Sequence, residues 1–146
     1  MNEKQYVVVR VESEHYAIEI SKVNSITQMM EPTKVPNMAM YTEGVINLRG
    51  EVVPLLNFRK LFNVKGDYSK EGKIIVYKSD ERSMGFLVDE ASEVLTIHQD
   101  AIDDAKVILG NSVGDYISGI AKVNNRVIVI LELEKIISQA MWQEKS

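Results

Sequence analysis

The apolar segments of this chain are short, rich in β-branched residues and repeated, and this pattern limits the folds that it can form. Each segment spans four to six residues and ends at glycine, asparagine or charged residues, which is typical of strands rather than helices. Two of them, Tyr6–Val11 and His15–Ile20, flank a polar turn, as in a β-hairpin. The pattern therefore predicts an all-β chain with only short helices.

The second half of the sequence repeats the apolar pattern of the first. Residues 43–62 lie without gaps over residues 118–137, which come 75 positions later. The stretch that begins at Val8 lies in the same way over the stretch that begins at Val76, 68 positions later. Because both registers rest mainly on apolar pattern and on few identities, the duplication is a hypothesis that a structure can test.

The repeat predicts two similar β units, at about residues 5–66 and 72–140. Each unit is close to the lower size limit for folding alone, so the two are expected to pack on each other. The second unit ends in an amphipathic helix from about Glu132 to Glu144, which could cap the core or dock a partner. The sequence leaves open whether the units exchange a terminal strand.

Composition excludes several classes of site. The 146 residues include no cysteine, which excludes disulfides, thiolate zinc sites, iron–sulfur clusters and cysteine nucleophiles. The sequence pI of about 5.3 argues against nucleic-acid binding through clustered basic residues. The sequence shows no signal peptide, and no apolar run approaches the roughly 20 residues of a membrane helix. These features predict a cytoplasmic protein without direct membrane insertion.

Motifs that carry catalysis are not found. The sequence contains no phosphate-binding glycine loop, no nucleophile elbow and no zinc-protease helix. Its two histidines, His15 and His98, fall in different units. The sequence therefore predicts no catalytic, cofactor-binding or metal site. Two alternatives stay open: a small enzyme or ligand-binding protein that uses His98 between the units, and a scaffold that assembles with its own kind.

Two compositional clusters could be interfaces. Residues 79–105 carry eight acidic side chains and the single base Arg82, and such a face can either steer a basic partner or confer solubility. Residues 29–40 carry four of the seven methionines. Methionine suits an adaptable interface but also fills gaps in a core, so neither cluster is assigned.

The segment from Gly44 to Pro54 is the strongest candidate for function. Two apolar runs are separated there by Arg49-Gly50, and Gly50 can take the positive φ of a tight turn. An arginine at such a turn projects a planar donor fork outward. The equivalent turn of the second unit is Asn124-Asn125, which has no guanidinium.

This segment resembles the G-V-x-N-L-R-G-x-x-x-P signature of the CheW family, the coupling proteins of bacterial chemotaxis, and the resemblance extends over about residues 5–138. It implies two SH3-like five-stranded β-barrels packed as a pseudo-duplicated domain, without enzymatic activity. It further implies an adaptor that is largely monomeric when free. Its partners would be the regulatory domain of the histidine kinase CheA and the cytoplasmic tip of methyl-accepting chemotaxis receptors, in membrane-associated arrays.

Matching the family pattern residue by residue implies three groups of site residues. These are a kinase-binding group (Val23, Ser25, Ile26, Gly44), a signalling turn that contacts receptor or kinase (Asn47, Arg49, Gly50) and a receptor-binding group (Gly85, Ala91, Val94). The sequence departs from the pattern at Ser25, where the family usually has a glutamate, and at Asn57, where it usually has an aspartate. Either change could alter partner preference without changing the fold.

Overall fold

A computed structural model describes residues 2–36, 41–62, 64–66, 68, 71–79, 82–110 and 116–137. Strands dominate these ranges, as the sequence predicts. They are β1 (Glu3–Val11), β2 (Glu14–Glu19), β3 (Val23–Gln28), β4 (Thr42–Leu48), β5 (Glu51–Asn57), β6 (Lys73–Ser79), β7 (Arg82–Val88), β8 (Glu90–His98), β9 (Ile102–Asp104), β10 (Ile117–Val123) and β11 (Arg126–Leu131). The helices are α1 (Phe58–Leu61), α2 (Ala105–Leu109) and α3 (residues 133–137), and Ile20–Lys22 and Gln99–Ala101 form 3-10 turns.

The strands form two sheets, each of which takes strands from both halves of the sequence. Sheet A has the order β8-β1-β2-β11-β10-β9, and sheet B has the order β3-β6-β7-β5-β4. The first hairpin of the chain, β1–β2, therefore lies in sheet A with strands of the second half, and the hairpin β6–β7 lies in sheet B with strands of the first half. Neighbouring strands are antiparallel except for the parallel pairs β2–β11 and β5–β7.

The predicted all-β fold with short helices and two packed SH3-like units is confirmed, with the difference that the sheets do not close into barrels. Sheet A has six strands and ends at β8 and β9, whereas sheet B has five strands and ends at β3 and β4. Among the described residues, in neither sheet are the two end strands paired with each other. A closed barrel requires the first and last strands to pair. The additional strand is β9, which pairs with β10 through Gly119 and Asp104.

The hairpin strands have continuous apolar runs because both of their faces are buried. In β1, Tyr6 and Val8 point into a cluster inside sheet A, whereas Val7 and Val9 point into a larger cluster between the sheets. Phe86 of β7 also lies in this central cluster, and a third cluster fills sheet B. The protein thus has one core in each sheet and a central core that joins them.

The strands of the two halves match at the offsets seen in the sequence. β4 and β10 have bounds that lie 75 residues apart, and β2 and β7 begin 68 residues apart. The two parallel pairings are equivalent as well, since Leu55 opposite Gly85 corresponds to Ile130 opposite Ala17. The unit boundaries near residues 66 and 72 stay a prediction.

The predicted C-terminal helix is described only in its first part. α3 covers residues 133–137, and its residues Leu133 and Ile136 are buried in the central core. The remainder to Glu144 lies outside the described residues, as do Met38 and Met40. Within the described ranges, no helix is long and apolar enough to cross a bilayer.

Candidate partner-binding surfaces

The turn between β4 and β5 presents Arg49 to solvent. Arg49 has φ +54° and Gly50 has φ +85°, and two consecutive positive φ values define the type I′ turn that matches strand twist. The backbone N–H of Gly50 donates to Asn47 Oδ1 at 3.0 Å. The sequence predicts a positive φ for Gly50 only. In the structure Arg49 has a positive φ as well, which non-glycine residues rarely adopt. The exposed guanidinium is thus held on a rigid hairpin tip.

Gly44 has a structural part in the candidate kinase surface. It is buried, has φ +150° and follows a register shift in β4. A Cβ atom there would lie 2.4 Å from the carbonyl oxygen of Thr33. Thr33 exchanges two backbone hydrogen bonds with Val45, at 2.8 and 2.9 Å. Only glycine lets the segment around Thr33 cover the edge of β4 so closely.

The other three residues of the predicted kinase-binding group lie on β3, at the edge of sheet B opposite to β4. Val23 packs against the central core, Ser25 is half-buried and Ile26 is 42% exposed. An edge strand offers unpaired backbone groups to a partner. Within the described part of the chain, β3 therefore combines an edge position in sheet B with one exposed large apolar side chain.

Ala91 and Val94 lie on β8, at the edge of sheet A. Ala91 packs against the central core, and Val94 is 52% exposed. These two positions come 68 residues after Val23 and Ile26. Val23 and Ile26 of the predicted kinase-binding group therefore occupy places equivalent to those of Ala91 and Val94 of the predicted receptor-binding group, on two different sheets.

Gly85, the third receptor-side residue, is buried in β7. A Cβ atom there would lie 2.4 Å from Leu55 Cδ2 and 3.1 Å from Ile74 Cγ2. A partner therefore cannot contact Gly85 directly in this conformation. Any effect of Gly85 on receptor binding, which stays a prediction, would act through the packing of β7 against β5 and β6. A larger residue would push β5 and β7 apart.

A buried arginine cluster is the main feature that the sequence did not reveal. Arg59 is 6% exposed, and its guanidinium donates to Asp89 Oδ2 at 2.7 Å, to Glu12 Oε2 at 2.9 Å and to the carbonyl of Lys65 at 2.9 Å. It also lies 5.0 Å from the ring centre of Tyr68. Burial lowers the pKa of Arg59, but the hydrogen bonds with Asp89 and Glu12 outweigh burial and raise it overall.

A second cluster explains the departure at Asn57. Asn57, the last residue of β5, is the N-cap of α1. Its Oδ1 accepts the backbone N–H of Lys60 at 3.2 Å, and its Nδ2 donates to Glu43 Oε1 at 2.6 Å. The same Glu43 oxygen lies 2.8 Å from Lys60 Nζ. Burial raises the pKa of Glu43, but the hydrogen bonds from Lys60 and Asn57 outweigh this and lower it. An amide at position 57 can donate to Glu43, which an aspartate could not.

Several acids of the 79–105 stretch are paired with arginines from elsewhere in the chain. Besides the bond from Arg59 to Asp89, Arg126 forms two hydrogen bonds with Glu93, at 2.9 and 2.8 Å. Glu90 lies 3.5 Å from Arg10. Asp80 and Glu81 lie outside the described residues. The acidity of this stretch is therefore partly neutralised in the fold.

The histidines are not placed as a catalytic pair. His98 is exposed, and its Nδ1 accepts the backbone N–H of Asp100 at 3.2 Å at a 3-10 turn. His15 lies on β2 opposite Arg10 of β1. In the ranges that the structure describes, no three histidine, aspartate or glutamate residues are grouped as metal ligands.

Comparison with known proteins identifies similar chains. The model of the CheW-like domain matches residues 5–141. The chemotaxis protein CheW of Bacillus subtilis is 32% identical over 141 residues, covering 96% of this chain and 90% of that protein. The chemotaxis protein CheW of Helicobacter pylori is 32% identical over 136 residues, covering 92% and 82%. A crystal structure of a CheW scaffolding protein from Thermoanaerobacter tengcongensis superposes with a TM-score of 0.77 at 28% identity, covering 89% of this chain and 84% of that one.

Proposed function

The chain belongs to the CheW-like family. We propose that it is a non-enzymatic adaptor in bacterial chemotaxis. It would couple methyl-accepting chemoreceptors to the histidine kinase CheA and help to build the signalling array. Its relatives are named chemotaxis proteins, and the similar solved structure is described as a scaffolding protein. We place the protein in the cytoplasm, largely monomeric when free and recruited to arrays at the membrane.

The observation that supports two partners is the equivalence of β3 and β8. Both are edge strands, and they carry exposed apolar residues, Ile26 and Val94, at matching positions. The residues beside them differ: Ser25 on β3 corresponds to Glu93 on β8, which is held by Arg126. Surfaces that share a backbone but differ in side chains suit an adaptor that binds two unlike proteins.

The exposed turn of Arg49 supplies a third contact. Its guanidinium is carried at the tip of the β4–β5 hairpin on a backbone that the positive φ values and the Asn47 hydrogen bond fix. A planar donor fork in this position suits a carboxylate or carbonyl of the kinase or receptor. We propose that Arg49 serves signalling in the complex rather than stability of the free protein.

Two substitutions test the assignment of the partners to separate edges. Ile26→Ser should weaken binding to a CheA regulatory domain, and Val94→Ser should weaken binding to a receptor cytoplasmic fragment, in titration calorimetry with each purified partner. Val127→Ser is the matched control, because Val127 is a strand valine that is 59% exposed and lies on neither edge. We expect each edge variant to lose at least about tenfold in affinity for one partner only.

Failure of the unmodified protein to bind either partner would refute the adaptor function. Equal loss of both partners in both edge variants would refute the separate surfaces but not the adaptor function.

A further inference from the structure

The Arg59 cluster joins three segments that are distant in sequence. Arg59 lies in α1, Glu12 lies in the turn between β1 and β2, and Asp89 is the single residue between β7 and β8. Asp89 Oδ2 accepts both the Arg59 guanidinium, at 2.7 Å, and the backbone N–H of Glu12, at 2.5 Å. The backbone N–H of Asp89 in turn donates to the carbonyl of Arg10 at 2.8 Å. Each of these contacts between the three segments is a direct hydrogen bond.

These segments belong to different sheets. α1 follows β5 of sheet B, whereas the turn of Glu12 belongs to sheet A. At Asp89 the chain passes from β7 in sheet B to β8 in sheet A. The side chains of Arg59 and Asp89 are 8% and 11% exposed, so their attraction is little screened by solvent. One guanidinium therefore bonds to both sheets where the chain crosses between them.

The other crossing between the sheets has different chemistry. It lies at Ile20–Lys22, between β2 of sheet A and β3 of sheet B. In the repeat, Ser21 corresponds to Asp89 and Glu134 corresponds to Arg59. Ser21 Oγ donates to Glu19 at 3.2 Å, and Glu134 accepts the hydroxyl of Tyr77 at 2.7 Å. The arginine fork between the sheets is thus a feature of the second crossing that the repeat does not reproduce at the first.

We propose that Arg59 is a positioning residue that fixes the orientation of sheet A relative to sheet B. Through Asp89 it holds the start of β8, which carries Ala91 and Val94, against α1, which follows the open end of the β4–β5 hairpin opposite the Arg49 tip. This role rests on the proposed adaptor function and extends it. Arg59 contributes to holding kinase and receptor together in one geometry, and little to the affinity for either partner alone.

Spin labels on the two sheets test the structural part of the proposal. Because the chain has no cysteine, Val52→Cys in sheet B and Lys122→Cys in sheet A give two unique labelling sites at exposed positions. Arg59→Lys keeps the charge, but an ammonium cannot reproduce the fork that reaches two carboxylates. Double electron–electron resonance should show a broader or shifted distance distribution in this variant. Arg126→Lys is the matched control, since its bidentate pair with Glu93 lies within sheet A.

Binding measurements test the functional part. In Arg59→Lys, the affinity for a CheA regulatory domain alone or a receptor fragment alone should change less than about twofold. Capture of the kinase domain on immobilised receptor through the adaptor should fall at least about fivefold. If Arg59→Lys does not fold, Glu12→Ala removes one arm of the cluster, and because the Glu12 side chain is 59% exposed this variant is expected to fold.

The outcomes separate this proposal from the adaptor function. An unchanged label distance in Arg59→Lys, or the same broadening in Arg126→Lys, overturns the positioning role. The positioning role is also overturned if Arg59→Lys weakens binding to one partner alone and the capture of kinase on receptor falls only by the same factor. If the unmodified protein binds neither partner, the adaptor function fails, and the label distances still decide whether Arg59 fixes the sheets.

Discussion

Replacing Asn57 by aspartate, the residue that the family resemblance leads one to expect at this position, should destabilise this protein. Asn57 Nδ2 donates to Glu43 Oε1 at 2.6 Å, and losing a hydrogen bond to a charged group costs about 1.5–3 kcal/mol. The new carboxylate would also face Glu43. Two unit charges about 4 Å apart repel by up to about 4 kcal/mol at an effective dielectric constant of 20.

Two effects reduce this penalty. Lys60 Nζ lies 2.8 Å from Glu43 and screens the repulsion, and an acidic residue at a helix start gains about 0.3–1 kcal/mol. That gain is small here because α1 has only four residues. We therefore expect Asn57→Asp to lower the free energy of unfolding by about 2–4 kcal/mol at pH 7. Urea denaturation followed by far-ultraviolet circular dichroism measures this difference.

The pH dependence gives the sharper test. In the native protein the pKa of Glu43 is lowered, so the stability that it contributes is complete above the ordinary glutamate range and is lost as pH falls through the lowered pKa. In Asn57→Asp the two carboxylates raise the pKa of the pair, so the folded variant binds a proton more readily than the unfolded chain and gains stability as pH falls. The difference in free energy of unfolding between the unmodified protein and Asn57→Asp should therefore become smaller from pH 7 toward about pH 4.

A double substitution provides the control for this prediction. Adding Glu43→Gln to Asn57→Asp restores a donor opposite the carboxylate and removes the repulsion, so most of the lost stability should return. A gap that stays constant or widens as pH falls would refute the reasoning. So would an Asn57→Asp variant whose stability at pH 7 lies within about 0.5 kcal/mol of the unmodified protein.

Three further substitutions have definite expectations. Arg49→Gly should raise the free energy of unfolding by about 0.5–1 kcal/mol, since glycine accepts the positive φ without strain. The same substitution should lower kinase activation in a reconstituted array. A decrease in the free energy of unfolding would contradict the first expectation. Gly44→Ala should destabilise by about 2–4 kcal/mol in urea unfolding, because its Cβ would meet the Thr33 carbonyl at 2.4 Å and the backbone must shift. Phe86→Ala should cost about 3–5 kcal/mol, since Phe86 is fully buried and its ring centre lies 4.9 Å from that of Phe58; a cost below about 1 kcal/mol would show that the central core does not depend on it.

The strands and the hairpin tip could be predicted from the sequence because local patterns determine them. β1 and β6 have runs of β-branched residues, and Gly50 marks the turn at the tip of the β4–β5 hairpin. The sheet order could not be predicted in this way. The hairpins β1–β2 and β6–β7 have similar apolar patterns, so pairing with either half satisfies the local signal equally well. The choice rests on long-range parallel contacts such as Leu56 opposite Phe86, which no periodicity encodes.

The burial of Arg59 was missed for a related reason. The helical spacing of Phe58, Leu61 and Phe62 indicates an apolar face that points inward, but it gives no signal that Arg59 is buried as well. In a helix of four residues, a following loop can cover the other face as well. Tyr68 lies over the guanidinium, and the carbonyl of Lys65 accepts from it. Neither residue has a pattern that would connect it to Arg59 in advance.

The departures between equivalent positions explain how a duplicated fold can serve two partners. β3 and β8 have equivalent antiparallel registers, since Ile26 opposite Ile75 corresponds to Val94 opposite Val7. The backbone alone therefore cannot distinguish the two proposed partners. Under the proposed adaptor function, the distinction would come from side chains, at positions where Arg49 corresponds to Asn124 and Ser25 corresponds to Glu93. Two separate copies of one unit would offer the same two surfaces without a fixed angle between them. Exchange of the first hairpins makes each sheet incomplete without the other half, so both edges belong to one interdependent fold.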